Sequence, residues 1–264
     1  MTKRITISTL DAMKASGDKF VMITAYDATF ARLASEAGAE TILVGDSLGM
    51  VLQGHETTIP VSLDAMVYHT ECVARAKPRS LIVADLPFMS FSISDDALHA
   101  STQLMQAGAQ MVKLEGGTWL SDSINRLVER GVPVCAHLGL TPQSVNVFGG
   151  YRVQGRTPKE AKSILADAVE IQDAGASLLV LECIPAELAG DIASKLDIPV
   201  IGIGAGGGTD AQVLVLHDML GMTESAPKFV QNFMKGADSI QDALATFVRA
   251  VKSGEYPQEE HTYC

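Results

Sequence analysis

Long hydrophobic runs are missing from this chain. No stretch approaches the roughly 18 apolar residues of a membrane span. The N-terminal MTKRITISTLDAMKASGDKF lacks the continuous apolar core of a signal peptide. Cysteine is sparse and unpatterned. Cys72, Cys135, Cys183 and Cys264 form no Cys-x-x-Cys, and three of the four lie in apolar segments. Reduced thiols in a cytoplasmic protein are the expectation. Positive charge is also short, with 20 Lys and Arg against 31 Asp and Glu and a formal net charge of −11. A nucleic-acid partner would need a basic face, and no basic cluster occurs. The same balance argues against an acidic membrane surface. Aromatic residues make up only 5%, which suits close helix–sheet packing better than a β-sandwich.

What is present is a rhythm. Short apolar runs alternate with amphipathic stretches. The strand candidates are Phe20–Tyr26, Thr41–Asp46, Ser80–Asp85, Met111–Glu115, Val132–His137, Ser177–Cys183, Pro199–Gly204 and Val213–Leu216. Their near-continuous apolar character predicts strands covered on both faces, as in a parallel sheet. Helices are expected between them. DATFARLASEAG closes on Gly38, SLDAMVYHTECVARAKP has Ser62 as cap and stops at Pro78, and SDDALHASTQLMQAG has Ser94 as cap. Thr157, Pro158 and Glu160 form a capping box with proline in the first helical position. A last helix is expected near Ser239–Ser253. No linker or low-complexity tract divides the 264 residues. Residues 1–264 are therefore expected to form one catalytic domain, with a short N-terminal extension and a C-terminal helix and tail. Eight β–α units in this length predict a (β/α)8 TIM barrel. A doubly wound sheet is the alternative, and it gives no reason for so many strands.

The polar residues fall at the strand ends. Asp46 and Ser47 end the second strand, Asp85 the third, His137 the fifth and Glu182 the sixth. The fourth, MVKLE, carries Lys113 and Glu115 two residues apart and so on one face. In a barrel these ends meet at one mouth, the usual place of catalysis. A terminal Asp is commonly just a helix cap, but four carboxylates at successive ends are harder to read that way. One lysine cannot balance Asp46, Asp85, Glu115 and Glu182, whereas a bound cation would. Hard oxygen donors suit Mg²⁺ or Mn²⁺, and His137 keeps zinc open. His137 reads equally as a hydrogen-bonded histidine of the mouth and as a substrate contact. Lys113 as a Schiff-base nucleophile would need a depressed pKa. Glu115 beside it favours the ammonium, so electrostatic stabilisation comes ahead. GIGAGGG, with Gly207 and Gly208, reads as a phosphate cradle or as a tightly packed turn. The other histidines, His217 among them, read as surface or loop residues. GMVLQGHETTIPVS and GLTPQSVNVFGGYRVQGR are long for βα connections and read as lids or subunit contacts.

Together ITAYD, VGDSLGMVLQGHETTIPV, ADLPFMS, VKLEGG, AHLGLTPQSVNVFGGYRVQGR, LLVLECIP, IPVIGIGAG and HDMLG resemble the ketopantoate hydroxymethyltransferase family, in order and over nearly the whole chain. Two stretches depart from the family pattern: Ala211 stands where glycine is usual, and ESAPKF replaces a His- or Arg-containing segment. The resemblance implies a barrel of the phosphoenolpyruvate/pyruvate type. It also implies hydroxymethyl transfer from 5,10-methylenetetrahydrofolate to 3-methyl-2-oxobutanoate through a Mg²⁺-stabilised enolate, giving 2-dehydropantoate, the first step of pantothenate synthesis. It assigns Mg²⁺ to Asp46, Asp85 and Glu115. Keto-acid contacts fall to Asp46, Ser47, Asp85 and Lys113, with His137 added from its place in the mouth. The general base is Glu182, and the assembly a homo-oligomer, typically a decamer. Three rivals remain. An isocitrate-lyase-like lyase would carry a KKCGH-like cysteine loop, absent here. A Schiff-base aldolase would use Lys113 covalently. A non-catalytic barrel would have no reason to keep buried charge.

Overall fold

Eight apolar runs form eight parallel strands in the structure, a computed structural model describing residues 4–264. They are β1 (Phe20–Thr24), β2 (Thr41–Val44), β3 (Leu81–Asp85), β4 (Met111–Glu115), β5 (Val134–Gly139), β6 (Leu178–Glu182), β7 (Val200–Ile203) and β8 (Ala211–Leu214). Each pairs with its sequence neighbour, and β8 returns to β1, closing the barrel. The expected (β/α)8 TIM barrel is thus present. The catalytic unit assigned to residues 1–264 begins with residues 1–3, which lie outside the described residues. Nearly every strand residue is buried, because helices cover the outside and side chains fill the inside.

Register positions the chemistry. Asp85 lies opposite Lys113, Glu115 opposite His137, and Gly139 opposite Glu182. Polar groups two residues apart on neighbouring strands thus share the inner face at one end. Gly139 is required there. It sits at φ +90°, and a Cβ would come within 2.2 Å of the Glu182 carbonyl oxygen. That close approach lets the Leu140 N–H bond the same carbonyl at 2.8 Å.

Several expectations shift. β5 starts two residues late because Pro133 has no N–H to give. β8 starts at Ala211, not Val213. Gln212 broke the apolar run, yet it is buried, its amide bonding Gly206 O and Thr209 Oγ1 at 2.9 Å each. Ser94 is not a cap: Ile93 is, and Ser94 Oγ instead bonds Asp122 and Ser123 across to the next helix. Thr157, Ser62 and Ser239 do cap their helices, and Gly38 ends its helix at φ +99°. The N-terminal extension contains helix Ile7–Ser16, whose Lys14 reaches Asp210 at the base of β8.

The largest departure is the seventh unit, which has no helix. Residues 204–210 alone return from the top of β7 to the base of β8. They run against helix Ala186–Lys195. A Cβ on Gly206 would meet Ala186 Cβ at 2.5 Å, and one on Gly208 would meet Gly190 Cα at 3.1 Å. The glycines of GIGAGGG serve this packing, which favours the tight-turn reading over the phosphate cradle. The C-terminal tail covers the same side. Pro257 lies 3.9 Å from a Cβ built on Gly207, and Ala186 N–H bonds Tyr263 O at 3.1 Å.

Candidate functional site

The strand ends open into a cavity of about 890 Å³. That lies in the range of roughly 300–1,000 Å³ that takes a drug-sized ligand. Asp46, Ser47, Asp85, Lys113, Glu115, His137 and Glu182 all line it, so every residue singled out at the strand ends opens onto one space. Asp27 takes the ordinary role: it caps helix Ala28–Ala37, accepting the Phe30 N–H at 2.9 Å.

At the centre stands Lys113. Its Nζ is 2.8 Å from Asp85 Oδ1 and 3.6 Å from Glu115 Oε1. Asp85 Oδ2 accepts the Asp46 backbone N–H at 3.0 Å. His137 Nδ1 donates to Glu115 Oε1 at 3.1 Å, and its Nε2 lies 3.3 Å from Glu182 Oε2. The Lys113–Asp85 contact and the His137–Glu182 contact are both poorly angled. Asp85 Oδ1 and His137 Nε2 are therefore buried without a proper hydrogen bond. Tyr26 OH and Ser47 Oγ hydrogen-bond at 2.9 Å. Glu182 is the most accessible of the acids, its side chain 15% exposed against 3% for Asp85 and Glu115.

Burial sets the electrostatics. It pushes the Asp46 carboxyl well above the usual range, and Asp85 and Glu115 push the same way. Burial also raises Asp85, although Lys113 works against it. Glu115 goes down: burial is outweighed by Lys113, His137 and the Gln143 N–H. For Lys113, burial opposes the charge, but Asp85, Glu115 and Asp46 overcome it and hold the ammonium. That agrees with an electrostatic role and disfavours a nucleophilic one. His137 is pushed up to about 9, because Glu115 and Glu182 outweigh burial and Lys113. The site thus holds two cations against four acids.

Among the described residues, no three His, Cys, Asp or Glu side chains already converge as a metal cage; Lys113 Nζ stands among the carboxylates. The donor chemistry nevertheless fits a hard divalent ion. Asp46, Asp85 and Glu115 offer only oxygen, and Asp85 Oδ1 is a buried acceptor with no hydrogen bond.

Three lining or bridging residues escaped the sequence reading. Gln143, in the loop after β5, is buried. Its amide donates to Asp46 Oδ2 and Leu86 O at 2.9 Å each, and its backbone N–H donates to Glu115 Oε2 at 3.0 Å. Its only signal was its place in a long loop. His55 and His217 line the cavity rather than the outer surface. His217 opens HDMLG right after β8, a position that could have flagged it. The two long loops meet across the mouth, where Tyr151 OH lies 3.4 Å from Met50 Sδ. Cys183, next to Glu182, sits at φ +46°. Bonds from Cys183 N to Ile203 O and from Gln154 N to Cys183 O, 2.9 Å each, hold that rare conformation.

Residues 4–259 match the family described as ketopantoate hydroxymethyltransferase. The chain is 58% identical over 261 residues to 3-methyl-2-oxobutanoate hydroxymethyltransferase 2 of Pseudomonas entomophila, covering 98% of each. It is 58% identical over 260 residues to 3-methyl-2-oxobutanoate hydroxymethyltransferase of Marinobacter nauticus, again 98% of each. Among solved structures, phosphonopyruvate hydrolase with oxalate and Mg²⁺ superposes with TM-score 0.62 at 13% identity, over 97% of this chain and 92% of that one. A 2,3-dimethylmalate lyase of the PEP mutase/isocitrate lyase superfamily gives 0.57 at 16%, over 79% and 80%. These two share the fold.

Proposed function

The chain belongs to the ketopantoate hydroxymethyltransferase family, and from that premise we propose that it transfers a hydroxymethyl group from 5,10-methylenetetrahydrofolate to 3-methyl-2-oxobutanoate. The product is 2-dehydropantoate. One observation carries the reading: Glu182 faces the cavity beside a buried cluster of three carboxylates, one charged lysine and one charged histidine. Such a cluster is expensive to bury unless it binds something charged.

Mg²⁺ bound by Asp46, Asp85 and Glu115 would supply Lewis-acid polarisation of the 2-oxo group. The protein's own groups do the rest. Lys113, held as the ammonium, faces the keto acid's anionic oxygens. Ser47, fixed by Tyr26, offers a hydroxyl to the same substrate. Glu182 takes the proton from C3, the carbon next to the ketone. His137 hydrogen-bonds Glu115 through Nδ1 and sets its Nε2 3.3 Å from the Glu182 carboxylate. The carbon nucleophile so formed attacks the one-carbon unit of the folate. One C–N bond breaks as the C–C bond forms. Water displaces the second folate nitrogen and supplies the hydroxyl oxygen, and tetrahydrofolate leaves with the proton that Glu182 took.

A homo-oligomer, a decamer by the family resemblance, and a cytoplasmic location belong to the same reading. Exposed Met89, Ile93 and Trp119, each 60% accessible, support association. No helix among the described residues is long and apolar enough to cross a membrane. The test is product formation. Purified protein with both substrates and Mg²⁺ should give 2-dehydropantoate by mass spectrometry, and Asp85→Asn with Glu115→Gln should give none. Product from that double variant, or none from the unaltered protein, would overturn the reading.

A further inference from the structure

Gln143 spends its donors away from its own loop. It is buried on the short turn Pro142–Ser144 after β5. That turn closes through Ser144 N–H to Thr141 O at 2.8 Å, without help from the Gln143 side chain. The amide nitrogen instead donates to Asp46 Oδ2, just past β2, and to Leu86 O, just past β3, at 2.9 Å each. The backbone N–H donates to Glu115 Oε2, at the end of β4, at 3.0 Å. These partners precede Gln143 by 97, 57 and 28 residues. Leu86 O can only accept, which fixes the amide nitrogen toward the carboxylates. The loop is anchored as well, since Leu140 N–H bonds Glu182 O at 2.8 Å. One loop residue therefore joins the ends of the three strands that carry Asp46, Asp85 and Glu115.

The oxygens left over matter as much. Among the described residues, Gln143 gives Asp46 its one side-chain hydrogen bond, on Oδ2, and Oδ1 accepts none. On Asp85, Oδ2 takes the Asp46 N–H and Oδ1 is buried without a hydrogen bond. Each aspartate is thus gripped through one oxygen and keeps the other open. Resting on the function proposed above, we infer that Gln143 is a positioning residue for the divalent ion, fixing the spacing of Asp46 and Glu115 across the mouth and leaving one oxygen of each aspartate to the metal. A neutral amide suits this task. It orients a carboxylate by donating to it, yet cancels none of the negative charge that a hard cation needs. A lysine at the same place would compete with the ion, as Lys113 already does for Asp85. The Leu86 carbonyl holds the amide from the β3 side, so the carboxamide cannot follow Asp46 if that side chain swings away.

The test uses the full chain with Mn²⁺ as probe. Electron paramagnetic resonance of free Mn²⁺ measures affinity for the unaltered protein, Gln143→Met and Gln143→Asn. Methionine keeps the length without the donor, and asparagine keeps the amide one methylene short. Lys14→Met, which breaks an ion pair at the base of the barrel, controls for a general loss of stability. Both Gln143 variants are expected to bind Mn²⁺ about 10–100-fold more weakly, and Lys14→Met within about twofold of the unaltered protein. Exchange of the C3 proton of 3-methyl-2-oxobutanoate in D₂O should fall in the Gln143 variants at limiting Mn²⁺. It should return to within about threefold at saturating Mn²⁺, which a merely structural defect would not allow. Circular dichroism in EDTA identifies the folded variants, and either one decides. Unchanged affinity in a folded Gln143 variant, or exchange that saturating Mn²⁺ does not restore, would overturn the positioning role and leave the proposed function intact. Unfolding of both variants in EDTA, with Lys14→Met still folded, would make Gln143 a brace and overturn the role equally. No Mn²⁺ binding and no exchange by the unaltered protein would overturn both.

Discussion

Two groups of paired charge sit at opposite ends of the same barrel, the one at the base partly exposed and the one at the mouth buried. At the base, Lys14 meets Asp210 at 2.7 Å, and Lys252 meets Glu40 at 2.5 Å. Backbone groups join these pairs. Asp210 Oδ2 accepts the Val200 N–H at 2.8 Å, Lys14 donates to Ala193 O at 2.9 Å, and Glu40 Oε2 accepts the Val21 N–H at 3.0 Å. Every charge has one opposite partner, and Lys14, Asp210 and Glu40 each add a backbone bond. At the mouth, four acids face two cations. Asp85 Oδ1 and His137 Nε2 lack proper hydrogen bonds, and Asp46 and Asp85 are pushed up by burial among their neighbours. The base is a completed network that ties an N-terminal helix to the strands. The mouth is an incomplete one, and incompleteness is what distinguishes a binding site from a brace.

The comparison can be broken by removing one charge from each end. Lys113→Met should act on both function and stability. Turnover is expected to fall by about 10²–10³-fold, as for loss of a preorganised electrostatic group. Metal-free protein should lose about 3–5 kcal/mol at pH 8, as for a broken buried pair, with part of the loss recovered at acid pH as the acids protonate. Denaturant unfolding at the two pH values checks this.

His137 provides a pH test. Its folded pKa is raised from 6.5 to about 9. Its stabilisation is therefore fully present below pH 6.5 and is lost as pH rises through 9. In EDTA, unfolding free energy should decline over that window by at most about 3 kcal/mol. The His137→Asn variant should lack that decline. An identical decline in the variant would show that another group carries it.

Lys14→Met should cost about 1–2 kcal/mol of stability, less than a fully buried pair because both partners are partly exposed. Its kcat should be unchanged, and a large drop would mean that the base is not merely a brace. The smallest effect is expected from Tyr26→Phe. Losing the hydroxyl bound to Ser47 should raise KM for the keto acid only a few fold, about 1 kcal/mol or less.

The strands were legible because both-face burial leaves an unbroken apolar run. The acids at their ends were legible because nothing in packing calls for Asp46, Asp85 or Glu182 there. Gln212 hid the start of β8, since a buried amide satisfied by Gly206 and Thr209 looks, in sequence, like a loop residue. The absent seventh helix was hidden for a related reason: seven residues rich in glycine read as a turn, and nothing local says that they cross the full height of the barrel. Gln143 could not be separated from other loop polars, because its role depends on strands far away in sequence. The family resemblance named metal, substrate and base residues in one step, whereas the strand-end pattern alone pointed only to a cation and an acidic mouth.

The central claim is that Glu182 removes a proton from a keto acid held by the acidic mouth. Its most direct test is C3 proton exchange of 3-methyl-2-oxobutanoate in D₂O, followed by NMR with Mg²⁺ or with EDTA. The account predicts exchange that needs the metal and falls about 10²–10⁴-fold in Glu182→Gln. Exchange that persists in Glu182→Gln at the unaltered rate would contradict it.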